Sequence, residues 1–358
     1  MFQDLLIGES EMKKSYCLLA FTGALAGSAS AQSSVTISGI IGVGIASVSG
    51  AEQGASNYNA GHLINMSQDS KVPTRLVFSG NEDLGDGMAA IFKLDQGFNV
   101  DDGSATLGGL ARETYVGLKS NNLGILTMGR QFHPLFNVRD DYDPTADSSN
   151  LMATGAFRMN NSVMYRTPVY DGVFAKLAYG FGEVPGNMSA GRAVGAHIGY
   201  DGGPLSTKLG YNNLNDALGQ GSAKSTLLAG SYNFGPVTGF LAYGINKGAV
   251  TNGVFSAADN TDMLFGARIP LGASTLAATY IRKNDKTSLD ADANQIQIYY
   301  AYALSKRTVL YSIFTRIDNS ANAMYTTAHA SAAPTAAQYA LGARPADREF
   351  SVGIRHSF

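Results

Sequence analysis

The stretch Gln295-Ile296-Gln297-Ile298-Tyr299-Tyr300-Ala301-Tyr302-Ala303-Leu304 decides the fold. Successive side chains of an extended strand point to opposite faces, so Ile296, Ile298, Tyr300, Tyr302 and Leu304 share an oily face opposite Gln295 and Gln297. Two further stretches obey the same rule. Val173, Ala175, Leu177, Tyr179 and Phe181 stand opposite Lys176, and Val237, Gly239, Leu241, Tyr243 and Ile245 stand opposite Thr238. The last residues follow suit, with Phe350, Val352, Ile354, His356 and Phe358 on one side and Ser351, Gly353, Arg355 and Ser357 on the other. A soluble sandwich also alternates, but in a closed membrane barrel the last strand has a specific task, because it must pair with the first.

Spread over the chain, this alternation repeats every roughly twenty residues and divides it into about sixteen strands. The expected class is all-β, a transmembrane antiparallel barrel. Such strands need apolar residues on one face only, so a mean hydropathy of -0.03 is compatible with it. The 42 glycines, 18 tyrosines and 17 phenylalanines suit close strand packing and membrane interfaces, and with no tryptophan any aromatic girdle must be made of Tyr and Phe.

The connectors carry a second period, in which short and long ones alternate. Leu84–Gly87, Asn121–Gly124, Val169–Gly172, Asp201–Pro204, Phe234–Pro236 and Leu271-Gly272 are turn sequences rich in Gly, Asn, Asp and Pro. Longer segments lie near 48–73, 99–111, 131–161, 182–191, 214–224, 248–261, 284–293 and 318–348. Short periplasmic turns on one rim and long extracellular loops on the other are the layout of an outer-membrane barrel.

The amino-terminal region points to export. Met12-Lys13-Lys14, an apolar run from Leu18 to Ala26 and Ala29-Ser30-Ala31 read as a signal peptide over residues 1–31. Asp4, Glu9 and Glu11 do not suit a basic leader, so Met12 is the expected initiator and residues 1–11 an over-extended start. The barrel domain is then 32–358. The lone Cys17 falls in the leader, which leaves the mature domain without disulfide, thiolate ligand or cysteine nucleophile.

Composition removes several function classes. A formal charge of -2, becoming -1 once residues 1–31 with their three acids and two lysines are gone, gives no basic surface for nucleic acid. His62, His133, His197, His329 and His356 are scattered and form no zinc or nucleophile-elbow motif, so neither enzyme chemistry, a metal nor a cofactor is expected. A conducting channel, a substrate-specific channel and a non-conducting surface anchor remain as barrel functions.

Arg75-Leu-Val-Phe-Ser-Gly-Asn-Glu-Asp-Leu-Gly-Asp-Gly, Arg112-Glu-Thr-Tyr-Val-Gly-Leu-Lys with Leu123-Gly-Ile-Leu-Thr-Met-Gly-Arg130-Gln131, and the terminal Phe358 resemble the general diffusion porins of Gram-negative bacteria, especially their β-proteobacterial branch. The resemblance spans the mature chain. It implies a sixteen-stranded barrel, three to a unit, whose third loop folds into the pore. It also implies outer-membrane lipid and lipopolysaccharide as surroundings, small hydrophilic solutes and ions as cargo, and Phe350, Val352, Ile354 and Phe358 as the strand read by the barrel assembly machinery.

The third long connector, 131–161, is the candidate constriction loop and carries Asp140, Asp141, Asp143 and Asp147. Its acids also fit two plainer roles, keeping a surface loop soluble or holding calcium at Asp141-Tyr-Asp143. Basic partners come from the wall. Outward Leu76 and Phe78 put Arg75 in the lumen, outward Val163 and Tyr165 do the same for Arg166, and Lys93 opposes Phe92 and Leu94. Periodicity leaves the side of Arg112 open. The resemblance matches Arg75, Arg112 and Arg166 to the porin arginine cluster, and it implies weak anion preference.

Overall fold

The computed structural model describes residues 34–358 apart from 56, 58, 70, 107, 108, 111, 146–150, 153–156 and 331–333. The leader expected at 1–31 and the acid Asp147 therefore lie outside the described residues. Seventeen strands are described: β1 (Ser34–Ala51), β2 (Gly61–Gln68), β3 (Arg75–Gly85), β4 (Met88–Gly97), β5 (Glu113–Ser120), β6 (Gly124–Phe132), β7 (Arg158–Arg166), β8 (Val173–Gly180), β9 (Ala193–Gly202), β10 (Leu205–Asn215), β11 (Ser222–Asn233), β12 (Thr238–Thr251), β13 (Val254–Leu271), β14 (Ser274–Asp285), β15 (Ala293–Ala303), β16 (Thr308–Asn319) and β17 (Arg348–Ser357). Helix α1 (Pro134–Tyr142) follows β6, and the short α2 (Ala336–Ala340) precedes β17.

From β3 onward each strand pairs antiparallel with the next, and β17 pairs with β1 from Ile40↔Ser357 to Ser49↔Arg348. Gly39 and Phe358 exchange two backbone hydrogen bonds of 3.1 Å, which completes the seam. The sheet has no free edge, so backbone polar groups need no partner from lipid. Side-chain faces follow the alternation: Ile296, Ile298, Tyr300 and Tyr302 are exposed on the outer wall, while Gln295, Gln297 and Tyr299 are buried inside. Phe350, Val352, Ile354 and Phe358 likewise point outward, and Ser351 is buried.

Seventeen strands make sixteen staves. Strand β1 is long enough to serve β2 along Val43–Ala51 and β3 along Ser34–Ile40, so β2 and β3 form one interrupted stave. The connector read as 48–73 thus contains a strand. Pro73 cannot donate to a ladder, and Asp69 closes a turn by accepting from the Lys71 and Val72 amides at 2.9 and 3.3 Å. Thr74 Oγ1 then accepts from the Gly42 amide at 3.0 Å and donates to its carbonyl at 3.1 Å, replacing the missing ladder bonds. The turn enters the lumen at Gly42, where a Cβ would stand 2.7 Å from Asp69 Cβ.

The connector expected at 248–261 is also strand. β12 and β13 run on through a two-residue Asn252-Gly253 turn with φ of 50° and 80°, the left-handed pair that a twisted hairpin requires. Near the long-loop end of these strands lies a buried ion pair, Lys283 with Asp262. Asn246 Nδ2 donates to Asp262 at 2.8 Å, and Lys283 Nζ donates to Asn260 Oδ1 at 3.1 Å. Lys283→Met removes the cation that pairs with this buried carboxylate and is expected to cost about 3–5 kcal/mol. The check is the temperature at which the detergent-folded barrel loses its compact gel mobility. A Lys283→Met barrel that melts like the parent disproves the expectation.

Candidate functional site

The lumen is narrowed by the β6–β7 connector, where the expected loop 131–161 contains the helix α1. His133 caps α1 by accepting from the Leu135 amide at Nδ1, 3.2 Å, and Pro134 takes the first helical position, where no amide hydrogen is needed. Pro144, just past the Asp143 cap, prevents continuation. Leu135, Val138 and Tyr142 form one buried stripe at helical spacing, while Asp140 and Asp141 are exposed on the other side.

The wall makes room for that stripe by omitting side chains. A Cβ on Gly195 of β9 would lie 2.2 Å from the His133 ring, one on Gly210 of β10 2.7 Å from Leu135, and one on Gly266 of β13 2.7 Å from Pro144. Three inward glycines thus form a seat. Leu135, Val138 and Tyr142 continue into a cluster with Leu227, Phe240, Leu264 and Ile281.

Polar contacts fix the loop from Pro134 to Thr145. His197 Nδ1 lies 2.9 Å from the Pro134 carbonyl, Lys176 Nζ donates to Asn137 Oδ1 at 2.8 Å, and the Tyr142 and Ser206 hydroxyls are 2.6 Å apart. Asp141 pairs with Lys208 of β10. Beyond the helix, Thr145 Oγ1 reaches Thr279 at 2.9 Å and Gln297 Oε1 at 2.8 Å, and Lys71 Nζ donates to the Pro144 carbonyl at 2.7 Å. Lys71 belongs to the inward turn between β2 and β3, which Arg355 anchors through a 2.7 Å bond to Asp69.

Across the lumen stand the cations. Arg112 lies beside Asp95, Nε to Oδ1 3.3 Å, and Lys93 pairs with Glu113. Arg158, the first residue of β7, donates Nε to the Arg112 carbonyl at 2.9 Å, and its guanidinium sits 4.6 Å over the Phe132 ring. Arg112 faces the same ring at 5.8 Å. Arg75 and Arg112 lie within electrostatic reach of each other and of Asp140.

The expected residues divide as follows. Arg75, Arg112 and Lys93 gather on the inner face at β3–β5, facing Asp140. Asp143 turns away, accepting from the Thr145 amide at 3.0 Å and hydroxyl at 2.8 Å. Arg166 is exposed at the last position of β7, in register with Lys176 and next to a short turn, and stands apart from the other arginines. Arg158 was missed because β7 starts inside the segment read as loop. Arg139, stacked 5.8 and 5.5 Å from Phe136 and Phe157, was also missed.

Burial holds His133 neutral, with its pKa lowered to about 4 from the ordinary 6.5. To accept from Leu135 at Nδ1 it must keep its proton on Nε2. With the loop released, His133 would titrate near 6.5, so seating is fully favoured above that pH and weakens as pH falls from 6.5 towards 4, by about 3 kcal/mol in all. Single-channel recordings are expected to show new, pH-dependent loop fluctuations below pH 6 that His133→Asn suppresses. Identical traces at pH 7 and pH 4.5 contradict this.

A closed barrel with an aqueous, charged interior and an inward loop is a porin of the outer membrane. The chain belongs to the Gram-negative porin family, whose sequence profile matches residues 17–322. It is similar to Outer membrane porin protein 32 of Delftia acidovorans, 32% identical over 97% of this chain and 100% of that one. An outer membrane porin protein of Bordetella pertussis is 31% identical over 84% of this chain and 93% of its own. Among solved structures, the anion-selective porin from Comamonas acidovorans superposes with a TM-score of 0.74 at 28% identity, covering 91% of this chain and 100% of that one.

Proposed function

We propose that this porin passes ions and small hydrophilic solutes passively, favours anions, and works as a trimer. The charge inventory at the narrowing carries the selectivity: among the described residues, Arg75, Lys93, Arg112 and Arg158 face only Asp95 and Glu113 on that wall, leaving two positive charges in excess. On the opposite side, Arg139 of the loop and Lys208 of β10 balance Asp140 and Asp141. Arginine stays charged at any working pH, and low-dielectric walls concentrate its field across the aperture. The similar porin from Comamonas acidovorans is anion-selective, which supports the same sign. Zero-current potential in a tenfold KCl gradient tests it. An anion-selective sign that shrinks as salt rises, with the Debye length falling from about 10 Å at 0.1 M to about 3 Å at 1 M, is expected. A cation-selective sign at 0.1 M refutes the reading.

Trimer formation is supported by the outer wall. The exposed tyrosines Tyr165, Tyr170, Tyr200, Tyr211, Tyr232, Tyr243, Tyr280, Tyr300 and Tyr302 all belong to β7–β15 or their turns. Strands β1–β6 instead present Val35, Ile37, Ile41, Ile45, Val116, Leu118 and Met128. Tyrosine marks membrane interfaces, so the lack of an exposed one among the described residues of β16–β17 and β1–β6, one continuous arc across the seam, marks the flank that packs on other copies. The leader at 1–31 would direct export, and the outward face of Phe350, Val352, Ile354 and Phe358 would engage the assembly machinery.

A further inference from the structure

On the long-loop side of α1, just beyond the glycine seat, the inner wall holds a niche of about 280 Å³. The inward positions that follow Gly195 and Gly210 along their strands build it: Ala193 on β9, and Asn212 and Leu214 on β10. Met159 of β7 joins Ala193 and Leu214 in an apolar floor, and Arg158, Asn212 and Phe181 line the rest. The space exists because the chain leaving β8 omits side chains. A Cβ on Gly180 would stand 3.2 Å from Met159 Cε, and one on Gly182 would fall 1.7 Å from the Ala190 carbonyl oxygen.

This lining differs from the aperture in its charge. Among the described residues it carries one cation, Arg158, and no carboxylate. The guanidinium of Arg158 is held in place, because Phe132 supports its face at 4.6 Å and Nε donates to the Arg112 carbonyl at 2.9 Å. Its two terminal nitrogens make no hydrogen bond or ion pair among the described residues, which leaves a fork of the kind that grips a carboxylate.

An arginine alone accepts any anion. The niche adds an uncharged apolar floor of the size of one ring, since a cavity of about 150 Å³ lined by apolar side chains already holds benzene. Aromatic surface continues beside it: Phe132 stacks on Phe136 at 4.9 Å, and Phe136 meets Phe157, which is 44% exposed, at 5.2 Å. A solute that unites a flat apolar ring with a negative charge complements both parts at once.

We propose that the niche is a binding station for aromatic carboxylates, with the ring seated on Met159, Ala193 and Leu214 against Phe181, and the carboxylate on the Arg158 fork. The inference rests on the anion preference proposed above and goes beyond it, because here the ring, not the charge, selects among anions.

The test places the mature porin in planar bilayers in 0.1 M KCl, with benzoate, acetate or neutral benzamide added to both sides at constant ionic strength. Benzoate is expected to halve the ion current at a concentration about tenfold below that required of acetate, and below that required of benzamide. Leu214→Asn, which makes the floor polar, and Phe181→Ser, at an exposed position, should each remove the advantage of benzoate over acetate while the zero-current potential in a KCl gradient stays parental. Benzoate and acetate acting alike on the parent overturns the station, as does an undiminished benzoate advantage in both variants. Benzamide acting as strongly as benzoate overturns the Arg158 contact. Failure of the underlying anion preference is read separately, as a cation-selective potential in KCl with no aromatic solute present.

Discussion

Replacing Arg75, Arg112 and Arg158 together by glutamine is expected to turn the channel from anion-selective to cation-selective. The change leaves Lys93 as the last of the four cations on that side of the narrowing, facing Asp95, Glu113 and the loop carboxylate Asp140. One unit charge about 7 Å from an ion in water is worth about 0.6 kcal/mol, close to thermal energy, so each arginine alters ion partition roughly threefold. Three act together, raising cations and lowering anions, and the permeability ratio in dilute salt should move by more than about tenfold. The measurement is the zero-current potential of the triple variant against the parent in 0.1 M salt. Arg166→Gln serves as the internal comparison. Standing apart beside Lys176, it should shift the potential less than Arg112→Gln does. A triple variant with the parental potential would remove these arginines from the selectivity mechanism.

The physical range over which each feature is determined explains which ones could be read in advance. Strand faces depend on neighbours two residues away, so the outward sets in 295–304, 173–181, 237–245 and 350–358 were legible without any fold. The inward parity of Arg75, Arg166 and Lys93 followed by the same rule. Height along the barrel did not, because it depends on stagger accumulated over many strands, and Arg166 accordingly lies apart from Arg75 and Arg112. The helix inside the constriction loop has a local signal in Pro134, but its seat depends on Gly195, Gly210 and Gly266, some sixty to one hundred and thirty residues further on. Asn252-Gly253 was a legible hairpin signal inside a segment read as loop.

That glycine seat makes a second large effect predictable. In Gly195→Leu, Gly210→Leu the new side chains occupy the space of the His133 ring and of Leu135 and Val138, where even a Cβ falls 2.2, 2.7 and 3.0 Å from existing atoms. Overpacking of this kind costs about 1–3 kcal/mol per site and must be relieved by movement. The barrel wall is fixed by ladder hydrogen bonds on both sides of β9 and β10, so the loop is what yields. It cannot swing free, because Lys71 holds Pro144 and Thr145 holds Thr279 and Gln297 beyond the helix. Helix α1 therefore moves inward, carrying Asp140 towards Arg75 and Arg112. Conductance should fall by a factor of about two, the order expected when a side-chain width is taken from a narrow aperture, and larger sugars should be excluded from swelling liposomes. Releasing the far tether with Lys71→Met in the same background should give the opposite result, a wider and noisier pore. Parental conductance in the double-leucine variant would show that the loop does not rest on this wall.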